Sequence, residues 1–270
     1  MSYNDEIINH LITGFQRSGK TIITNGTHRH VLKNRYENFV GPQPKIKFHR
    51  WAGSLKSSQA FAYNIFSGIT NSQFEFGMWA LDNDPQHKAF IDVVIEDKNK
   101  TVKMFEVKMF ELVNSGGKNK IFHKSEKYFD PSNYYWNKQI AQRFIPFIQD
   151  VISHFKDKKI YGDGIKQLCC HLLGIINEMT ISNGKLIGKK VELFSLCYDQ
   201  YFTPKFENDV ENYKNAIQEF KVLVDKFLID IKMDSQIKFC GYLSANYYLR
   251  NNIEVIGMNN YDYVTNRYYN

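Results

Sequence analysis

The residues with chemical potential lie in 89–111, AFIDVVIEDKNKTVKMFEVKMFE, which reads as two strands joined by a tight polar turn. β-Branched and aromatic residues fill 90–95 and 101–110, and Asp97-Lys98-Asn99-Lys100 carries the turn chemistry. Facing residues of an antiparallel pair have numbers that sum to a constant, so a turn centred on Asn99 sets Asp92 opposite Glu106. Facing side chains have Cβ atoms roughly 4.5–5.5 Å apart, and two like charges there repel. A cation between them removes the conflict. Alternation puts Lys108 on the face of Glu106 and turns the Val107 side chain away, leaving its carbonyl nearby. Two carboxylates, a carbonyl and an ammonium suit phosphodiester hydrolysis. Mg²⁺ prefers oxygen ligands, keeps several waters and lowers the pKa of a bound one. Lys108 could orient that water, take its proton if its own pKa is depressed, or stabilise charge on the phosphate. The same triplet also fits a solvated cross-strand pair on an edge hairpin, because acid-x-base triplets are common on exposed strands.

Asp92 followed by Glu106-Val107-Lys108 resembles the D…E-x-K signature of the PD-(D/E)XK, or restriction-endonuclease-like, nuclease superfamily, with Ile91 where the eponymous proline would stand. Upstream, Leu55-Lys56-Ser57-Ser58-Gln59-Ala60 with Asn64 and Phe66 is similar to an S-S-Q-A-x-x-x-N-x-F stretch of a bacterial family assigned to the restriction endonucleases of that superfamily. Together the two resemblances cover roughly residues 49–200. They imply an α/β fold with a restriction-endonuclease-like core, a mixed central β-sheet flanked by helices, in the order helix, three strands, helices, strand. They also imply a Mg²⁺-dependent deoxyribonuclease, with Mn²⁺ able to substitute. Asp92, Glu106 and the Val107 carbonyl would hold the metal, and Lys108 would manage the attacking water.

Residues 57–69 read as a helix capped by a serine and stopped by Gly68. Asn64 lies near the core on it, and Gln59 precedes Asn64 by five. Both suit cap and core hydrogen bonding, or support of the metal site from behind. Residues 74–81 read as a strand on which Glu75 could add a carboxylate, and 82–85 turn it back toward Asp92. Residues 113–120, VNSGGKNK, read as a flexible loop beside the site. Residues 132–155 read as a helix bent or broken at Pro146, where Gln139, with Lys138 and Arg143, takes the place at which related nucleases often set a polar residue facing the metal. Residues 163–179 form a second helix with one apolar face. Residues 190–202 form a strand that the crossover makes parallel in the same sheet. Residues 207–228 form a helix whose Tyr213, Ile217, Phe220, Val224 and Phe227 suit packing on the domain better than pairing with a second chain, so a homodimer stays open. The tail from Gln236 reads as a helix and a short strand.

Three segments follow: a basic N-terminal extension, 1–56; the core, 57–205; and a C-terminal extension packed on it, 206–270. The net charge is +7, and residues 1–56 carry nine Lys or Arg against three acids. Nearly the whole excess therefore sits in the first fifth. Lys20, Arg29, Lys33 and Arg35, interleaved with Phe15, Tyr36, Phe39, Phe48 and Trp51, suit a phosphate backbone through counterion release. DNA is the expected partner. Gly14 to Thr21, GFQRSGKT, fits the Walker A pattern in every position, yet a helix precedes the loop and a β-branched run follows it, the reverse of the nucleotide-binding context. With no apolar run of the ~20 residues needed to span a bilayer, the chain reads as cytoplasmic with no membrane partner. The four cysteines form no C-x-x-C pair, and Cys169-Cys170-His171 reads as core residues in preference to zinc ligands. The reading from another class is a nucleic-acid-binding module that retains the nuclease fold without catalysis.

Overall fold

The computed structural model describes residues 3–23, 30–41, 46–47, 49–50, 52–82, 84, 88–112, 126–200 and 203–270. Helix α1 (Tyr3–Arg17) buries Ile7, Leu11 and Phe15 completely in the main core and packs on the last helix of the chain. Its end explains the Walker-like sequence. The Gly19 N–H donates to Gln16 O, the Lys20 N–H donates to Phe15 O, and Gly19 has φ +72°, which is a Schellman C-cap. The glycine ends a helix instead of cradling a phosphate before one. Short strands β1 (Ile22–Ile23) and β2 (Val31–Leu32) pair antiparallel, and Val31 bridges to Ser54.

Helix α2 (Ser58–Phe66) begins at Ser57, whose hydroxyl accepts the Ala60 N–H at 3.2 Å. Then come β3 (Gln73–Met78), β4 (Ala89–Glu96) and β5 (Thr101–Lys108). The turn between β4 and β5 is built by Asp97, whose Oδ1 accepts from the Asn99 and Thr101 N–H groups. Helices α3 (Ala141–Phe155) and α4 (Gly162–Thr180) lead to β6 (Lys190–Cys197), then α5 (Pro204–Asp230), β7 (Ile237–Ser244), α6 (Ala245–Asn251), α7 (Ile253–Ile256) and α8 (Met258–Tyr268). The five long strands form one mixed sheet in the order β3-β4-β5-β6-β7, antiparallel as far as β5 and parallel from β5 to β7. Helix α2 packs on β4 and β5, α4 on β3 and β4, and α5 on β7.

The structure corrects several expectations. The sheet does not end near residue 205, because β7 supplies its fifth strand, and the tail from Gln236, expected to form a helix and a short strand, forms β7 and three helices. The N-terminal extension is anchored by α1, whose apolar stripe belongs to the same core as the sheet. Helix α3 starts at Ala141. Before it, Asp130 caps a short 3-10 turn, Pro131–Asn133, while the Tyr135 N–H and the Trp136 indole N–H donate to Leu81 O and Asp82 O, so this stretch is pinned to the β3–β4 connection. The helix runs through Pro146 without a break. The expected loop at 113–120 lies outside the described residues, as do Arg29, Phe48 and Trp51. Among the described residues no helix is long and apolar enough to cross a membrane.

Candidate active site

The β4–β5 register has the predicted sum: Val94 pairs with Met104 and Val93 with Phe105, which carries Asp92 to the position facing Glu106. There the side chain of Asp92 takes over from the ladder, its Oδ2 accepting the Val107 N–H at 2.7 Å. On the other side β5 is held by its parallel partner, with Lys108 in register with Cys197 and the Tyr198 N–H donating to Lys108 O at 2.8 Å. Both flanks of the Glu106-Val107-Lys108 triplet are thus fixed by sheet neighbours.

Glu106, Lys108 and His171 are each 3% exposed. Glu106 is not a solvated edge residue. Its Oε1 accepts from Lys108 Nζ at 2.5 Å, and its Oε2 meets His171 Nε2 at 2.7 Å. A carboxylate only accepts, so Nε2 of His171 carries the proton. Lys108 Nζ also donates to Gln167 Oε1 at 2.6 Å. Burial alone would raise the Glu106 carboxyl, but the neighbouring Lys108 ammonium and His171 outweigh it and hold the group at about 2. Burial would likewise lower Lys108, and the charge of Glu106 reverses that and pushes the ammonium well above its usual value. Lys108 therefore stays protonated, and of the three roles expected for it, proton acceptance is the one this geometry disfavours.

Asp92 is half-buried. Desolvation and then the negative charge of Glu106 push its carboxyl well above the usual range, against the opposing pull of Lys108 and the Val107 N–H. Glu75 takes part as well. The β3–β4 register pairs Phe74 with Val93 and Phe76 with Ile91, which leaves Glu75 facing Asp92, and Glu75 adopts φ +53° inside a strand. A left-handed backbone at a non-glycine residue is a local cost that the surroundings must over-determine. Here the Gln59 amide donates to Glu75 Oε1 at 2.9 Å and to Lys47 O at 3.0 Å, while Gln59 Oε1 accepts the His49 N–H at 2.9 Å.

One cleft of about 560 Å³ has Glu75, Asp92, Glu106, Val107 and Lys108 on its strand side and Ser54, Lys56, Ser57, Ser58 and Gln59 on another. Gln59 stands in the cleft, in support of Glu75. Asn64 does not. It is fully buried and ties residues 38–40 to α2, accepting the Val40 N–H and donating to Asn38 O, each at 2.8 Å. Gln139 lies before α3, in a separate groove with Arg143, Ile176 and Met179. The polar residues facing Glu106 and Lys108 come instead from α4, as Gln167 and His171. Their spacing of four puts both on one helix stripe, which is the signal the sequence held. The adjacent Cys169 and Cys170 do not join His171, and Cys170 Sγ meets the Tyr128 hydroxyl. Lys33 and Arg35 are exposed and Lys20 is half-buried. The strand β2 that precedes Lys33 is tied to the segment leading into α2, with the Leu32 N–H donating to Gly53 O.

Among the described residues no three His, Cys, Asp or Glu side chains stand together as a metal cage. The donors in the cleft are hard oxygens that come in pairs. This fits Mg²⁺, which is commonly bound by one or two carboxylates, with water and substrate phosphate oxygens completing its shell. Comparison of the chain with protein-family models, with curated proteins and with solved structures gives no match.

Proposed function

We propose that this chain is a Mg²⁺-dependent endonuclease that hydrolyses DNA phosphodiester bonds on a restriction-endonuclease-like core. The observation that carries the reading is the convergence of Asp92 and Glu106, at facing register positions, with Lys108 in one cleft. The order of α2, three antiparallel strands, α3 and α4, then the parallel strand β6 supports it, since that is the order the resemblance implies.

In the reaction a water oxygen forms a bond to phosphorus and one P–O ester bond breaks. The leaving oxygen ends as an alcohol, the other product is a phosphomonoester, and the remaining proton passes to solvent. When bound, Mg²⁺ supplies a Lewis-acid centre that neutralises phosphoryl charge and acidifies water. Asp92, Glu106 and the Val107 carbonyl are the expected ligands, with Glu75 facing Asp92. Lys108, held protonated between Glu106 and Gln167, orients water with its remaining N–H donor without accepting a proton. His171 fixes the second oxygen of Glu106.

One observation favours the non-catalytic DNA-binding reading: both oxygens of Glu106 are engaged by Lys108 and His171. The experiment that separates the two is cleavage of plasmid and single-stranded DNA with Mg²⁺ and with EDTA, by the parent and by Asp92→Asn. Mg²⁺-dependent nicking that the variant loses supports the nuclease. Binding without nicking supports the module.

A further inference from the structure

Lys108 has spent two of its three N–H donors on Glu106 and Gln167. It is therefore poorly placed to grip a substrate phosphate as well. The cleft holds a second lysine. Lys56 lines it from the segment that leads into α2, together with Ser54, Ser57 and Ser58. Local hydrogen bonds hold that segment: the Lys56 N–H donates to Ser54 Oγ at 3.2 Å, the Ser57 N–H to Ser54 O at 3.1 Å, and Ser57 Oγ caps α2. The Lys56 ammonium stands 5.8 Å from the centroid of the Phe110 ring, and among the described residues no ion pair joins it.

We propose that Lys56 binds the phosphate of the DNA backbone in the cleft, contacting a non-bridging oxygen of the diester that is cleaved, with the Ser58 hydroxyl beside it. This rests on the endonuclease reading of the same site. A partly buried ammonium without a carboxylate is held at a cost, because burial disfavours its charged form and moves Lys56 below the usual lysine value. An anion that arrives with the substrate removes that cost. Phosphoryl transfer puts growing charge on the equatorial oxygens, which is where a fixed cation contributes most. The two lysines thereby divide the work, Lys108 locked against Glu106 and Lys56 left for the substrate.

The test uses Lys56→Met, Lys56→Gln and Lys56→Arg in the full chain with two readouts. The first is cleavage of a duplex oligonucleotide with Mg²⁺. The second is binding of that duplex in EDTA, followed by fluorescence anisotropy over a range of NaCl concentrations. The Met and Gln variants are expected to lose about 100-fold in kcat, as for removal of one transition-state donor. Their plot of log K against log salt should be shallower by about 0.9, the value of one neutralised phosphate. The Arg variant should recover most of both, and the Mg²⁺-induced rise in melting temperature should equal the parent's in all three. Parent-like cleavage and salt slope in both neutral variants would overturn the assignment of Lys56. A parent that never cleaves, with a slope that still falls in the variants, would defeat the endonuclease reading and leave Lys56 as a phosphate-binding residue.

Discussion

The carboxylate of Asp92 accepts the backbone N–H of Val107 at 2.7 Å, so a side chain on β4 takes a strand hydrogen bond on β5 at the middle residue of the E-x-K triplet, between Glu106 and Lys108. Asp92 is thereby brought toward Glu106 with one oxygen already committed, and its carboxyl is raised by desolvation and by the Glu106 charge.

Asp92→Asn should therefore stabilise the protein in EDTA and abolish Mg²⁺-dependent cleavage. Asparagine keeps an oxygen for the Val107 N–H and removes the repulsion. A carboxyl with a raised folded-state pKa destabilises the fold above its unfolded-state value of ~3.9. The advantage of the variant should accordingly be absent in acid below that value and grow as pH rises through the raised folded-state pKa. Mg²⁺ at 100 times its dissociation constant should stabilise the parent by about 2.7 kcal/mol, and the variant by less. Thermal melts across pH, with and without Mg²⁺, check both. A variant that melts below the parent in EDTA contradicts the facing of the two carboxylates.

Glu106 titrates in the opposite sense. Its folded-state pKa, about 2, lies below the usual carboxylate range, so its contribution is present above that range and lost as pH falls toward 2. Acid unfolding of Asp92→Asn should show this loss, and the same protein with Glu106→Gln added should not. Near neutral pH, Glu106→Ala leaves Lys108 buried without its acid and should cost about 3–5 kcal/mol by denaturant titration.

Backbone strain at Glu75 gives a prediction free of charge effects. Glu75→Ala and Glu75→Gly both delete the carboxylate, but only glycine relieves φ +53°. Glu75→Gly should be the more stable by about 1 kcal/mol, and both should cleave more slowly than the parent. Alanine equal to or above glycine would mean that the residue relaxes without strain.

Neutralising Lys20, Lys33 and Arg35 together should weaken duplex binding and make its salt dependence shallower by about 0.9 for each phosphate that these side chains would otherwise neutralise. Melting temperature should change little for Lys33 and Arg35, which are exposed. An unchanged salt slope would remove this segment from the DNA interface.

The features legible in the sequence were local or followed from chain continuity. The Asp97-to-Thr101 turn sets the β4–β5 register through hydrogen bonds spanning four residues, so the facing of Asp92 and Glu106 could be read from arithmetic. Ser57 caps α2 through contacts within one turn. The crossover from β5 through helices makes β6 parallel. Which helix faces the site depends on packing between distant segments. His171 reaches Glu106 across 65 residues of sequence, and the stripe of α4 bearing Gln167 and His171 is selected by how its apolar face docks on β3 and β4, a choice that helical periodicity leaves open. The same holds for the left-handed Glu75, the joining of β7 to the sheet, and the burial of α1 against α8. At Gly14 an added Cβ would stand 2.2 Å from Arg267 O, an approach between chain ends that no local pattern encodes.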